Sequence, residues 1–77
     1  MRRSRNRVRY VVCIANKGYR ASLIVRRIYQ VRHDRDAEKR GLLRVVDESG
    51  EDYLYPRGLF MVVDLPSAIT KELAVAT

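Results

Sequence analysis

Residues 42–56 constrain the fold most, because two strand-forming runs flank a short polar turn that ends in glycine. If residues 48–50 form a three-residue loop, Gly50 takes the left-handed conformation, which a residue without Cβ adopts at little cost. That loop length sets the register and places Val45 opposite Tyr53 on one side of the ribbon. The segment therefore predicts a β-hairpin with each side chain assigned to a face.

The same register assigns the other side chains of the hairpin. Leu43 lies opposite Tyr55 on the side that carries Val45, and we expect Tyr53, Tyr55 and Tyr29 to be needed for the core of so small a domain. Pro56 has no amide hydrogen and should end the second strand. The opposite side of the ribbon carries Arg44, Val46 and Leu54.

Strand-like patterns also occur at residues 8–15, 28–33 and 60–64. The first becomes apolar on both faces along its length, so we expect it to be covered on both sides. In the second, Tyr29 and Val31 share one face. Together with the hairpin, these segments predict five short strands.

Two segments have more than one interpretation. Residues 19–25 fit either a short strand or an irregular loop in which Leu23 and Val25 are turned inward. Residues 34–41 fit either a solvated loop or one helical turn that Asp34 or Asp36 caps and Gly41 ends.

The end of the chain predicts a turn, the fifth strand and a helix. A tight turn is expected at residues 56–59, before the last strand. A short C-terminal helix is expected from about residue 66, with Pro66 or Ser67 at its start. Ile69 and Leu73 would then share one face of that helix.

Length and charge indicate one domain preceded by a basic tail. The chain has 77 residues and a net charge of +7, and residues 1–9 contain five arginines and no acidic residue. We expect residues 1–6 to be disordered and residues 7–77 to form a single domain. No apolar run is long enough for a membrane span or a signal peptide, so we expect a cytoplasmic protein with no membrane contact.

The order of these elements resembles that of SH3-like barrels. We therefore expect a mostly β fold, a small five-stranded SH3-like barrel that is closed or nearly closed, with a short C-terminal helix. The turn Asp-x-Ser-Gly-Glu, followed by Tyr-x-Tyr-Pro and Phe, also resembles a group of small bacterial and phage proteins with this fold. That group has no established activity, so the resemblance implies the fold and no functional residue. The matching segments are residues 13–16, 28–31, 46–56, 60 and 65–66.

Enzyme chemistry is not expected. The acids Asp47, Glu48, Glu51 and Asp52 cluster at the hairpin tip, where hydration should keep their pKa values ordinary. They lack the spacing of a calcium loop, and the sequence has no phosphate loop, metal-binding His pair or Ser/His/Asp arrangement. Cys13, the only cysteine, lies in an apolar run and is interpreted as a buried hydrophobe. The sequence thus predicts no catalytic residue, metal ligand or cofactor.

The arginines favour binding to nucleic acid, either RNA or DNA. A flexible arginine-rich tail gains affinity for phosphates through counterion release, and arginine beside exposed tyrosine suits single strands. Alternatively, the arginine stems only cover apolar rims of the domain. The predicted contact residues are Arg2, Arg3, Arg5, Arg7, Arg9, Arg26, Arg27 and Arg32.

Two other functions remain open. An SH3-like barrel can bind an extended peptide in an aromatic groove, where the hairpin acids would select basic partners. The chain could instead be a structural subunit of a larger assembly, since fold alone does not determine function. The groove of the peptide alternative would be lined by Tyr19, Tyr53, Tyr55, Pro56 and Phe60.

Overall fold

The computed structural model describes residues 9–66 and 68–69. Five strands form one antiparallel sheet in the order β4-β3-β2-β1-β5, so β4 and β5 are its edges. The elements are β1 (Arg9–Cys13), β2 (Ile28–Arg32), α1 (Arg35–Lys39), β3 (Leu42–Val46), β4 (Asp52–Pro56), a 3-10 turn (Arg57–Leu59) and β5 (Phe60–Val63).

The predicted hairpin is confirmed in its register and its turn. Val45 pairs with Tyr53, and the other predicted pair along β3 and β4 is also formed. Gly50 has a φ of +86°, in the left-handed region. The Asp47 N–H donates to the Glu51 carbonyl at 3.1 Å and closes the three-residue loop.

The core lies on one face of the sheet. Its members alternate along the strands, as the period-two pattern predicted for β2 and β3. Leu23, from the long connection between β1 and β2, is fully buried among them. The buried cluster consists of Val11, Cys13, Leu23, Tyr29, Val31, Leu43, Val45, Tyr55 and Phe60.

The expectation of a closed barrel is wrong. Within the described residues, no backbone ladder joins β4 to β5, the two edges of the sheet. The edges instead meet through side chains, because the Tyr55 and Phe60 rings lie 6.2 Å apart in an edge-to-face contact. The 3-10 turn fixes this corner, since the Leu59 carbonyl accepts from Ile14 and Ala15.

Residues 34–41 adopt the helical alternative. The Asp34 carboxylate caps α1 by accepting from the Ala37 N–H at 3.0 Å. The other carboxylate oxygen of Asp34 accepts from Arg44 Nε at 2.8 Å, which ties the helix start to β3. Gly41 follows the helix with a φ of +78°.

Two side chains are more exposed than predicted. Tyr53 remains 50% exposed although it lies on the same side of the ribbon as Val45. It belongs to an edge strand beside the hairpin tip, beyond the reach of the core. In the connection from β1 to β2, Leu23 is turned inward but Val25 is exposed.

Two predictions concern the ends of the chain. The predicted tail at residues 1–6 and most of the predicted C-terminal helix lie outside the described residues. Ala68 and Ile69 are helical, and the Ile69 N–H donates to the Pro66 carbonyl at 3.0 Å. Among the described residues, no helix combines the length and the apolar character that crossing a bilayer requires.

We expect Gly50→Ala to lower the free energy of unfolding by about 1 kcal/mol, because a side chain at positive φ is strained. The added Cβ would meet no atom within 4 Å, so conformation alone decides the effect. Gly58→Ala is the matched control, since Gly58 has equally open surroundings without a positive φ. Urea unfolding measures both, and equal losses for the two variants would contradict the explanation.

Candidate functional site

Asp47 is a buried carboxylate in the hairpin loop, with only 6% of its surface exposed. Ser49 donates to one oxygen from its backbone N–H at 2.8 Å and from its hydroxyl at 2.6 Å. The Tyr55 hydroxyl donates to the other oxygen at 2.6 Å. The carboxylate thus holds the turn to the core tyrosine of β4.

The predicted ordinary pKa of the hairpin acids is wrong for Asp47. Burial by itself would raise the pKa of this carboxyl group. The hydrogen bonds from Ser49 and Tyr55 outweigh burial and lower the pKa below its usual value. Asp47 is therefore an ionised structural anchor and not a hydrated surface acid.

Glu48 connects the same turn to the connection between β1 and β2. Its N–H donates to the Ser22 carbonyl at 3.1 Å. Its carboxylate accepts from the Tyr29 hydroxyl at 2.6 Å and from Arg27 at 3.2 Å. Burial and the bond to Glu48 together raise the pKa of Tyr29 to about 12, so this hydroxyl stays protonated.

Tyr19 lies on the outside of this anchored region. Its ring meets the Tyr55 ring edge to face, with centroids 5.1 Å apart, and the residue remains 36% exposed. Tyr55 is itself fixed by its hydrogen bonds to Asp47 and Ser22. One aromatic ring is therefore both accessible to solvent and held by the core.

Two cations flank Tyr19 in its turn. Lys17 and Arg20 are exposed, and neither forms an ion pair within the described part of the chain. The Tyr19 N–H donates to the Asn16 carbonyl at 2.8 Å, which fixes the backbone between them. We call Lys17, Tyr19 and Arg20 the Tyr19 platform.

Three of the four predicted contact arginines that lie within the described residues are paired with carboxylates. Arg9 pairs with Glu38, Arg27 with Glu48 and Arg32 with Asp52. Arg26 forms no ion pair with any described residue and has a φ of +76°. Arg2, Arg3, Arg5 and Arg7 lie outside the described residues.

The sequence prediction omitted Lys17 and Arg20 from the contact set. The sequence feature that could have identified them is the position of Tyr19 between two cations at the turn of residues 16–18. This feature does not stand out in the sequence, because arginines are spread along the whole chain. Only the contacts of the fold separate the paired arginines from the unpaired ones.

The structure does not bring the predicted aromatic groove together on the surface. Tyr55 and Phe60 are buried in the core, so their rings cannot line an open groove. Tyr53 and Pro56 are exposed on the edge strand β4. Tyr19 is the one member of the set that combines exposure with a ring packed on the core.

Acidic residues, Cys13 and His33 are of the types that most often serve as metal ligands or nucleophiles. No group of three metal-ligating side chains occurs among residues 9–66 and 68–69. Cys13 is fully buried, and burial raises the pKa of its thiol, which disfavours the reactive thiolate. His33, the only histidine, is an exposed residue 4.0 Å from Glu38.

Comparisons of the chain with protein-family models, curated protein sequences and solved structures found no significant match. The function is therefore inferred from the arrangement of the chain's own residues.

We expect Asp47→Asn to reduce the free energy of unfolding at neutral pH by about 2 kcal/mol, because hydrogen bonds to a charged acceptor are lost. Folding lowers the pKa of Asp47. Its contribution is therefore present above the unfolded pKa of about 4 and is lost as pH falls through the folded value. The variant should lose less stability than the wild type on acidification.

Chemical unfolding at several pH values measures this difference. Asp64→Asn, which changes an exposed acid without an ion pair in residues 9–66, is the control and should follow the wild type. Some acid dependence remains in Asp47→Asn, since the Ala37 N–H and Arg44 lower the pKa of Asp34. Parallel pH profiles for Asp47→Asn and the wild type would contradict the anchoring role.

Proposed function

We propose that the protein is a non-enzymatic module that binds single-stranded nucleic acid, RNA or DNA, through the Tyr19 platform and the basic tail. The observation that carries this proposal is the Tyr19 ring, exposed to solvent, packed on the buried Tyr55 and flanked by two unpaired cations. Bases stack on such rings, and cations beside them contact the phosphates.

A fixed ring suits this function better than a mobile one. Ordering a side chain on binding costs conformational entropy, and that cost falls when the ring already has one position. Tyr19 meets this condition through Tyr55, which is hydrogen-bonded to Asp47 at 2.6 Å. The hairpin anchor thus supports the stacking surface.

The tail adds affinity that does not depend on base sequence. Residues 1–9 carry five arginines and no acid, and phosphates release counterions when such a segment binds. Among these, Arg9 is held by Glu38 at 2.6 Å, so the arginines before it would supply most of the contacts.

For the fold, we propose an open form of the SH3-like barrel. The strand order, with β1 between β2 and β5, and the 3-10 turn before β5 support this assignment. A continuous core on one face of the sheet, with the edges of the sheet in contact through Tyr55 and Phe60, supports it as well.

Removing the Tyr19 ring should weaken binding to a short single-stranded oligonucleotide about tenfold, the size expected for one lost stacking contact. Tyr19→Ala is compared with Tyr19→Phe, which keeps the ring and should bind like the wild type. Tyr53→Ala is the matched control, because it removes another exposed tyrosine from β4. Fluorescence anisotropy at low salt measures all three.

Equal losses for Tyr19→Ala and Tyr53→Ala would contradict a specific platform. If the full-length wild type binds no single strand at low salt, the proposal of nucleic-acid binding fails. The protein-interaction function would then take its place.

The salt dependence of binding tests whether Lys17 and Arg20 contact phosphates. Lys17→Gln combined with Arg20→Gln should flatten the log–log salt slope by about 1.4, at roughly 0.7 per phosphate contact. The control combines Arg35→Gln with Arg40→Gln, an equal charge change at α1 that should leave the slope nearer the wild-type value. A larger effect from the α1 variant would place the phosphates at α1 and not at the Tyr19 platform.

A further inference from the structure

A pocket of about 400 Å³ opens beside the hairpin loop, within the size range of small-ligand sites. Its position relates it to the Tyr19 platform, because Glu48 borders the pocket and its N–H is bonded to Ser22. Ser22 follows Tyr19 by three residues and is bonded to its carbonyl. The pocket lining includes Tyr10, Arg27, Ile28, Gln30, Val46 and Glu48.

The walls of this pocket combine apolar surface with a few polar groups. Ile28 and Val46 provide apolar side chains, and Ile28 is largely exposed. Gln30 pairs directly with Tyr10 across β1 and β2, so the two side chains share one face of the sheet. The Gln30 side-chain amide makes no hydrogen bond to any described residue, which leaves its donors and acceptor for a ligand.

Tyr10 is a buried residue in the wall of the pocket. The residue is only 6% exposed, and its hydroxyl has no hydrogen-bond partner within the described part of the chain. Buried hydroxyl groups are normally paired, and leaving one unpaired is unfavourable. Tyr29 and Tyr55, the other buried tyrosines, both have partners for their hydroxyls. The Tyr10 hydroxyl oxygen has almost no accessible surface, so it does not face the pocket and is not available to a ligand there.

We propose that this pocket binds a nucleobase, presented by the strand that lies on the Tyr19 platform. The inference rests on the proposed function and adds the site at which one unstacked base is recognised. Ile28 and Val46 contact the ring face, the Gln30 amide bonds the base edge, and Tyr10 forms part of the wall beside Gln30. Planar rings with donors and acceptors on their edges match this combination.

Arg27 suits the phosphate next to that base. One of its terminal nitrogens, Nη1, is bonded to both carboxylate oxygens of Glu48 at 3.2 Å. A guanidinium group has five N–H donors, so Nε and Nη2 keep donors for a phosphate. The ion pair therefore holds the arginine in place at the pocket without using all of its donors.

The test compares single-stranded oligonucleotides of one base type with the corresponding mononucleotides, AMP, CMP, GMP and UMP. Gln30→Leu should weaken binding of the preferred base about tenfold, as expected when hydrogen bonds to a base edge are lost. Ile28→Trp should fill the pocket and give at least the same loss. NMR amide shifts of Gln30 and Ile28 in the wild type report occupation of the pocket directly.

Tyrosine variants provide the control for Gln30→Leu. Tyr10→Phe removes a buried hydroxyl that the pocket does not reach, so it should keep or raise the stability of the free protein and bind the preferred base like the wild type. Tyr29→Phe removes a hydroxyl bonded to Glu48 and Ile24 and should lower stability. Equal losses of binding in Tyr10→Phe and Gln30→Leu would contradict the assignment of Gln30 to the base edge.

The outcomes separate this inference from the proposed function. Shifts at Gln30 and Ile28 that disappear in Gln30→Leu support the pocket, and their response to a mononucleotide alone identifies a free nucleotide as sufficient. If oligonucleotides bind through Tyr19 without shifting Gln30 or Ile28, the proposed function stands and the pocket inference is overturned. If neither oligonucleotides nor mononucleotides shift these amides or bind, both are overturned.

Discussion

The hydrogen bond between the Tyr55 hydroxyl and the Asp47 carboxylate supports most of what is distinctive in this structure. It is 2.6 Å long and buried, and it joins the hairpin turn to the centre of the core. Ser49 satisfies the other oxygen of Asp47, so an ionised group can be buried without an ion pair. Tyr19 then packs on Tyr55, and the only rigid exposed ring of the proposed site depends on this one contact.

Ion pairing decides which cations are available for a partner. The sheet places Arg32 and Arg44 next to each other on neighbouring strands, and Asp52 lies within reach of both. Such pairs contribute little stability when exposed, but they compete with any phosphate for the guanidinium group. The cations beside Tyr19 have no such competitor among the described residues, so they are available next to an exposed ring.

The hairpin turn links the two proposed sites. Glu48 lines the pocket, and its N–H donates to Ser22, which is bonded to the Tyr19 carbonyl. A strand that stacks on Tyr19 would therefore need to cross only this turn to place its next bases over the pocket. A module of this size can then combine affinity from stacking and charge with selectivity from one base.

Local sequence determined the hairpin, its register and the left-handed Gly50, because strand periodicity and turn chemistry act between residues close in the chain. The local sequence of residues 34–41 was compatible with a helix capped by Asp34 but equally with a solvated loop. Tertiary structure alone decided that Asp47 is buried and Tyr53 exposed, and that Arg27 is paired with Glu48. Arg27 and Glu48 are 21 residues apart, and the burial of Asp47 and the exposure of Tyr53 depend on where the rest of the core lies against the hairpin. Burial and charge pairing follow from which strands become neighbours, and alternation of side chains within one strand contains no information about that.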